Sequence, residues 1–212
     1  EYIIMKSNES DVPYSGTPVN LFADAERSAV LKEIAFNIPD VILKERQLCD
    51  LELLATGAFS PLEGFMTRAD YESVLDRMRL QNDSLWPVPI CLDISDTQAK
   101  TLEAGQSVAL RDAEGFLLAV LHIEDIWAVE KEKEASKIYD TLDRNHPGVR
   151  YLFENGSDYY LGGKIEVTSL PLHSDFKQLR LAPEEIKATF KRLGWQRIVG
   201  FQTSNPIHRP QL

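Results

Sequence analysis

Cysteine is scarce in this chain. There are two among 212 residues, Cys49 and Cys91, far apart and without the short spacing of a metal knuckle or a redox pair, which excludes a cysteine-based metal or redox centre. Few cysteines also fit the cytoplasm, where thiols stay reduced. Cys49 lies in an apolar-rich helical stretch and is expected to be a buried free thiol. Long apolar runs are missing too, so no helix that crosses a bilayer, and no membrane association, is expected. The opening residues Glu1-Tyr2-Ile3-Ile4-Met5-Lys6 lack the basic-then-apolar order of a secretory signal. The four histidines, at positions 122, 146, 173 and 208, are scattered and make no zinc site.

Positive charge is the other shortage. Lys and Arg number 23 against 33 Asp and Glu, a net charge of −10, and the pI is about 4.9. Such a surface repels nucleic-acid phosphates at long range, which speaks against a general DNA or RNA binder. An enzyme of anionic substrates would have to build a local positive site against that field. What is present is ordinary for a globular protein, 43% hydrophobic and 26% charged residues. The length suits one large domain, or one domain and part of another.

The pattern begins with turn formers (Pro13, Gly16, Pro18) and a helix over 24–37 that Pro39 stops. A second helix is expected over 44–55 with Gly57 at its C-terminal end. A third opens at Thr67, with Tyr71, Val74, Leu75 and Met78 at helical spacing. Strands follow: Val88, Ile90, Leu92 and Ile94 alternate, and residues 108–110 and 116–121 flank a turn as a hairpin. Residues 130–134, of mixed sign, read as a solvated helix face or loop. Tyr160 to Ser169 is the expected last strand of this unit, and Gly162-Gly163 mark a close backbone approach or a bulge. Trp86, Trp127 and Trp195 are read as core or interface packing. His146 and His173 are read as surface or capping residues, and Ser60-Pro61 as turn chemistry. After Leu170-Pro171-Leu172 the pattern turns to α/β. Ala182-Pro183-Glu184-Glu185 starts a helix with acidic residues in its first turn, Ile186, Phe190 and Leu193 line one face, and Gly194 ends it.

The richest stretch is the last. From Arg197 it reads Arg-Ile-Val-Gly-Phe-Gln-Thr-Ser-Asn-Pro-Ile-His-Arg-Pro-Gln-Leu. Residues 195–201 are expected to form a strand, since the run 198–201 has the pattern of one buried in an α/β sheet. Asn205-Pro206 looks like a helix start, with a capping side chain and a proline at the first position. A strand that breaks into a helix N-terminus leaves backbone N–H groups facing outward, which suits phosphate or sulfate. Gln202, Thr203, Asn205 and His208 gather at that junction and all can hydrogen-bond an oxyanion, with Arg209 the visible cation beside them.

This stretch resembles the ATP sulfurylase (sulfate adenylyltransferase) family, whose pattern is Gln-Thr-Arg-Asn-Pro-x-His-Arg-x-His. Gln202, Thr203, Asn205, Pro206, His208 and Arg209 match. Ser204 stands where the family has arginine and Gln211 where it has a second histidine. The resemblance also takes in 46–54, 57–66, Trp86-Pro87-Val88-Pro89-Ile90, His146-Pro147-Gly148-Val149 and 159–164, in the family's order.

The resemblance implies an α+β chain of two parts. Residues 1–169 would be a PUA-like (pseudouridine-synthase-and-archaeosine-transglycosylase-like) mixed β-barrel domain with helices. Residues 170–212 would be the incomplete start of an α/β, Rossmann-like nucleotidyltransferase domain. It implies ATP and sulfate as substrates, with Mg²⁺ accompanying ATP, and a homo-oligomer as the complete protein. A fused adenylylsulfate kinase domain, as in some bacterial relatives, is one arrangement it allows. Thr203, Ser204 and Asn205 would be the catalytic positions, and Gln202, Asn205, His208 and Arg209 would bind sulfate and ATP; no resident metal ligand is implied. The family's downstream Gly-Arg-Asp-His segment does not occur in the chain, so the expectation is a fragment without turnover of its own. Its tail either packs on the first domain or exposes apolar surface. Two other readings stand beside the enzyme: a degenerate relative that binds nucleotide or regulates a partner, because serine supplies neither the charge nor the fork of arginine, and an RNA-binding PUA-like module, which the acidic charge disfavours.

Overall fold

Asp24 opens the first helix by accepting the Arg27 N–H on Oδ1 at 2.7 Å. The helix, α1, runs Ala25–Ile34 in the computed structural model, which describes residues 18–200. The second, α2, covers Glu45–Ala55, and α3, behind Thr67, covers Arg68–Arg77. All three lie where the apolar spacing and the capping residues put them. Gly57 follows α2 with positive φ, as a residue ending a helix does.

Six strands form one mixed sheet. They are β1 (Asp40–Ile42), β2 (Gly64–Phe65), β3 (Leu92–Ile94), β4 (Ser107–Arg111), β5 (Leu117–Ala128) and β6 (Tyr159–Val167). Pairing runs β1-β4-β5-β6-β2, with β3 also on β6. The expected hairpin is β4–β5, in register at Val108↔Leu121 and Leu110↔Ala119. The β1–β4 pair is parallel and the others are antiparallel. Together with the helices this is an α+β fold.

The expected alternation from Val88 yields a strand only over Leu92–Ile94. Pro87 and Pro89 have no N–H to give a ladder, so pairing waits until they are past. The middle of the sheet is buried on both faces: Val108, Ala109 and Leu110 of β4 and Leu118 to Leu121 of β5 are all inaccessible. One face joins the main core with Leu51, Leu54 and Leu161. α1 covers the other, where its Arg27 reaches Glu166, the cross-strand neighbour of Val120. A continuous apolar run is the sequence pattern of such doubly covered strands.

Gly162 and Gly163 do what the sequence reading asks. A Cβ on Gly162 would lie 2.2 Å from the Met66 carbonyl oxygen, and one on Gly163, at φ 155°, 2.0 Å from that of His122. Opposite them the β5–β6 register shifts between Ile123 and Asp125, the mark of a bulge. The end of β6 returns to the start of the unit: Phe22 bridges Val167, Ala23 N–H donates to the Val167 carbonyl at 2.9 Å and Val167 N–H to that of Leu21 at 2.8 Å.

The remaining helices are α4 (Asp96–Ala99), α5 (Lys131–Tyr139), α6 (Pro147–Glu154) and α7 (Pro183–Leu193), with a 3-10 turn at Lys177–Leu179. Among the described residues no helix is long and apolar enough to cross a membrane.

Candidate functional site

The oxyanion-binding positions sit at the far end of the segment that leaves β6. Thr168 and Ser169 fasten its start, their hydroxyls donating to the Leu118 and Leu117 carbonyls, and Leu170 packs on the main core. His173 Nε2–H then donates to Glu52 Oε2 of α2 at 2.7 Å. Phe176 takes a left-handed conformation and starts the 3-10 turn. Arg180 pairs with Asp175 at 3.5 Å, and Ala182 N–H donates to Glu185 Oε2 at 2.8 Å, which caps α7. Gly194 ends α7 at φ 69°, and Trp195 stacks on Phe190 with ring centroids 5.8 Å apart.

The helix is thus where the sequence puts it, but the strand after it is not. Residues 195–200 carry no strand, Trp195 is 57% exposed and Val199 93%. The run has strand composition but no neighbouring parallel strands to complete its ladder, and composition alone does not hold a strand. The described part of the tail therefore exposes apolar surface. Leu172, Phe176, Leu179 and Leu193 are at least half exposed, and α7 buries no residue. Gln202, Thr203, Ser204, Asn205, His208 and Arg209, together with Gln211 and the expected helix start at Asn205-Pro206, lie outside the described residues.

Inside the sheet unit, two polar clusters stand out. In the first, Asp93 of β3 gathers the Lys44 ammonium at 2.6 Å, the Gln47 amide at 2.6 Å and the Ser157 N–H at 2.8 Å. Burial pushes its carboxyl up, but Lys44 and Ser157 outweigh that and hold it below the usual range. Gln47 is itself buried, so this hub locks α2 to β3 and the loop after α6.

In the second, Glu134 of α5 accepts from both Tyr71 of α3 and Tyr160 of β6 at 2.9 Å. Trp127, Tyr71 and Tyr160 form a ring cluster around it, with centroids 5.6–5.8 Å apart. Here the sequence reading is corrected. Glu134 is only 8% exposed, because its position on α5 faces the sheet; a charge run gives no sign of which member turns inward. Burial raises its carboxyl pKa, against the two hydroxyls that lower it. The signal that was available is Tyr71 and Tyr160 themselves, two buried hydroxyls in need of an acceptor.

Cys49 is a second correction. It is exposed on the outer side of α2, while Cys91 is the half-buried thiol packed between the core clusters. Burial pushes the Cys91 pKa well up, which leaves it a poor nucleophile. As expected, His146 sits at the start of α6, Trp127 is core and Trp86 packs edge-on against Phe59.

Cavities in the sheet unit do not bring a catalytic set together. One of about 310 Å³ lies between Glu63, Asp70, Glu124 and Lys164, where Lys164 is already paired with Glu63. Another, beside Arg46, Cys91 and Glu134, is about 40 Å³, room for a water molecule rather than a nucleotide. Among the described residues no group of three His, Cys, Asp or Glu side chains is placed to hold a metal ion.

Comparison with known proteins extends these findings. The PUA-like domain family matches residues 11–170 and the ATP-sulfurylase family residues 177–212. The chain is 44% identical over 204 residues to a sulfate adenylyltransferase of Gibberella zeae, an alignment covering 94% of this chain and 36% of that protein. It is 41% identical over 203 residues to a sulfate adenylyltransferase of Synechococcus sp., covering 96% and 51%. A solved structure, a hexameric APS kinase from Thiobacillus denitrificans, superposes with a TM-score of 0.75 at 38% identity, over 94% of this chain and 35% of that one. The chain spans about a third of the length of the first of these relatives and about half of the second.

Proposed function

Because the chain belongs to the ATP sulfurylase family, with a PUA-like domain over residues 11–170 and an ATP-sulfurylase segment over residues 177–212, we propose that the whole protein is a sulfate adenylyltransferase. It transfers AMP from magnesium-bound ATP to sulfate, giving adenylyl sulfate and pyrophosphate, the activating step of sulfate assimilation. The observation that carries this reading is the unbroken order of the two family segments along 94% of the chain. A supporting one is the uncovered apolar face of α7 and of the residues after it, as the first elements of a larger α/β layer would present.

On this reading residues 1–169 are the PUA-like domain and residues 170–212 begin the catalytic one. A sulfate oxygen attacks the α-phosphorus, a new P–O bond forms, and the bond to the bridging oxygen of pyrophosphate breaks. Sulfate is a weak nucleophile, so the protein's contribution is placement and charge neutralisation, with no covalent intermediate. Gln202, Thr203 and Asn205 hold the oxyanions by hydrogen bonds, His208 faces the phosphates, and Arg209 supplies positive charge. The protein works in the cytoplasm as a homo-oligomer, and a fused adenylylsulfate kinase domain is consistent with its likeness to the hexameric APS kinase.

Ser204 favours one other reading, a relative that keeps the scaffold and nucleotide binding but not the turnover, since the forked cation is replaced by a hydroxyl. Sulfate-dependent ATP–pyrophosphate exchange on the complete protein separates the two. Exchange that needs both sulfate and Mg²⁺ supports the enzyme; ATP binding without exchange supports the degenerate relative.

A further inference from the structure

The segment matched to ATP sulfurylase does not simply trail from the sheet unit; it is pinned near its start. His173 lies between the two family-matched stretches, and its Nε2–H donates to Glu52 Oε2 at 2.7 Å. The two side chains are 30% and 24% exposed, so the bond is shielded from water on most sides. α2, which bears Glu52, is itself fixed to β3 through Lys44, Gln47 and Asp93. Behind the bond the segment and α2 face each other across a cavity of about 430 Å³, lined by Cys49, Leu53 and Thr56 on one side and Leu170, Leu181 and Glu185 on the other. Leu170 packs on the core, but on the far side of that gap the segment is braced mainly against itself, through Arg180–Asp175 and Ala182–Glu185.

A braced segment across a gap from its support needs a contact that fixes its placement. We propose that the His173–Glu52 hydrogen bond is a positioning contact: it sets where the catalytic segment, and α7 within it, sits against α2. Its bearing on adenylyl transfer rests on the reading above; its bearing on geometry does not. A shielded hydrogen bond to a carboxylate is among the stronger ones. Glu52 has no replacement donor at the same reach, since Arg180 of the same cavity is engaged with Asp175. Without His173 the segment keeps its internal braces and loses its placement.

The test uses this chain with spin labels at Glu103→Cys and Arg192→Cys in a Cys49→Ser background, one label on the sheet unit and one on α7. Their distance distribution is compared for His173 intact, His173→Ala and His173→Gln, with thermal unfolding of the sheet unit as the folding control. His173→Ala is expected to raise the population of displaced arrangements about tenfold, with the unfolding midpoint unmoved. His173→Gln, which keeps an N–H donor, is expected to restore the narrow distribution. An unchanged distribution in the Ala variant, or no rescue by Gln, overturns the proposal. In the complete protein the same Ala variant is expected to lower kcat severalfold with the KM for ATP held. A wild-type protein without exchange would end the adenylyltransferase reading, while the label distances would still decide the contact.

Discussion

Truncating Glu134 to alanine offers the sharpest check on how the sheet unit is held together. Three elements meet at its carboxylate: α5, which carries it, α3 through Tyr71 and β6 through Tyr160. Glu134→Ala leaves two tyrosine hydroxyls buried with no acceptor, each at about 1–3 kcal/mol. Against that, removing a carboxylate that burial disfavours returns part of its desolvation cost. The net loss is expected to be about 2–4 kcal/mol, or roughly 5–15 °C in Tm for a unit of this size. Glu134→Gln keeps one acceptor oxygen and sheds the charge, so at neutral pH it is expected to lie within about 1 kcal/mol of the parent.

The pH dependence gives a second handle on the same residue. Its folded pKa is raised above the ordinary carboxylate value of 4.5, so its stabilising contribution is complete below that value and is lost as pH rises through the folded pKa. The parent should therefore gain on Glu134→Gln as the pH is lowered from 7 toward 4.5. Urea melts of the parent and both variants at several pH values measure this. An alanine variant within about 0.5 kcal/mol of the parent would refute the reasoning, for the two tyrosines would then have other partners.

Three further outcomes are expected. Gly162→Ala should destabilise by at least about 3 kcal/mol, because its Cβ would lie 2.2 Å from the Met66 oxygen and must push β6 from the segment before α3; a denaturant midpoint equal to the parent's would show that the backbone yields freely there. Arg27 and His122 both donate to Glu166. The Arg27 hydrogen bond, with His122 adding to it against some burial, brings the Glu166 carboxyl down to about 2. That contribution is present above the ordinary 4.5 and lost as pH falls through the folded value, so the Tm gap between parent and Arg27→Ala should close in acid. Ser204→Arg in the complete protein should raise sulfate-dependent pyrophosphate exchange at least about tenfold, since one oriented oxyanion contact is worth about 2–4 kcal/mol; an unchanged rate would mean that another cation fills the role.

Much of this was legible from the sequence, and the physics says which part. Asp24, Thr67, Pro183 and Gly194 mark helix ends because caps act within a few residues of the chain. The hairpin and the Gly162-Gly163 bulge are local in the same sense. The misreadings all concern what lies opposite. Glu134 and Cys49 sit on helices whose inward faces depend on distant strands, so residue type misled in both directions: a glutamate turned in, a cysteine turned out. The parallel β1–β4 pair joins residues nearly seventy apart, beyond any local signal. Residues 195–200 have strand composition without strand partners. The candidate site itself rests on motif order, since Gln202 to Arg209 lie beyond the described residues.

The clasp between Leu21–Ala23 and Val167 carries a consequence for synthesis. The last strand made, β6, is the one against which β2, β3, β5 and the first residues of the unit all pair. A nascent chain thus holds the apolar strands β4 and β5 with one side of their ladder open until Val167 has left the ribosome. Long-range closure of this kind is slow and leaves edges exposed while it waits. The order of translation gives the unit no early stable core, and the same clasp, once shut, brings its two ends together so that everything made afterwards grows from a finished base.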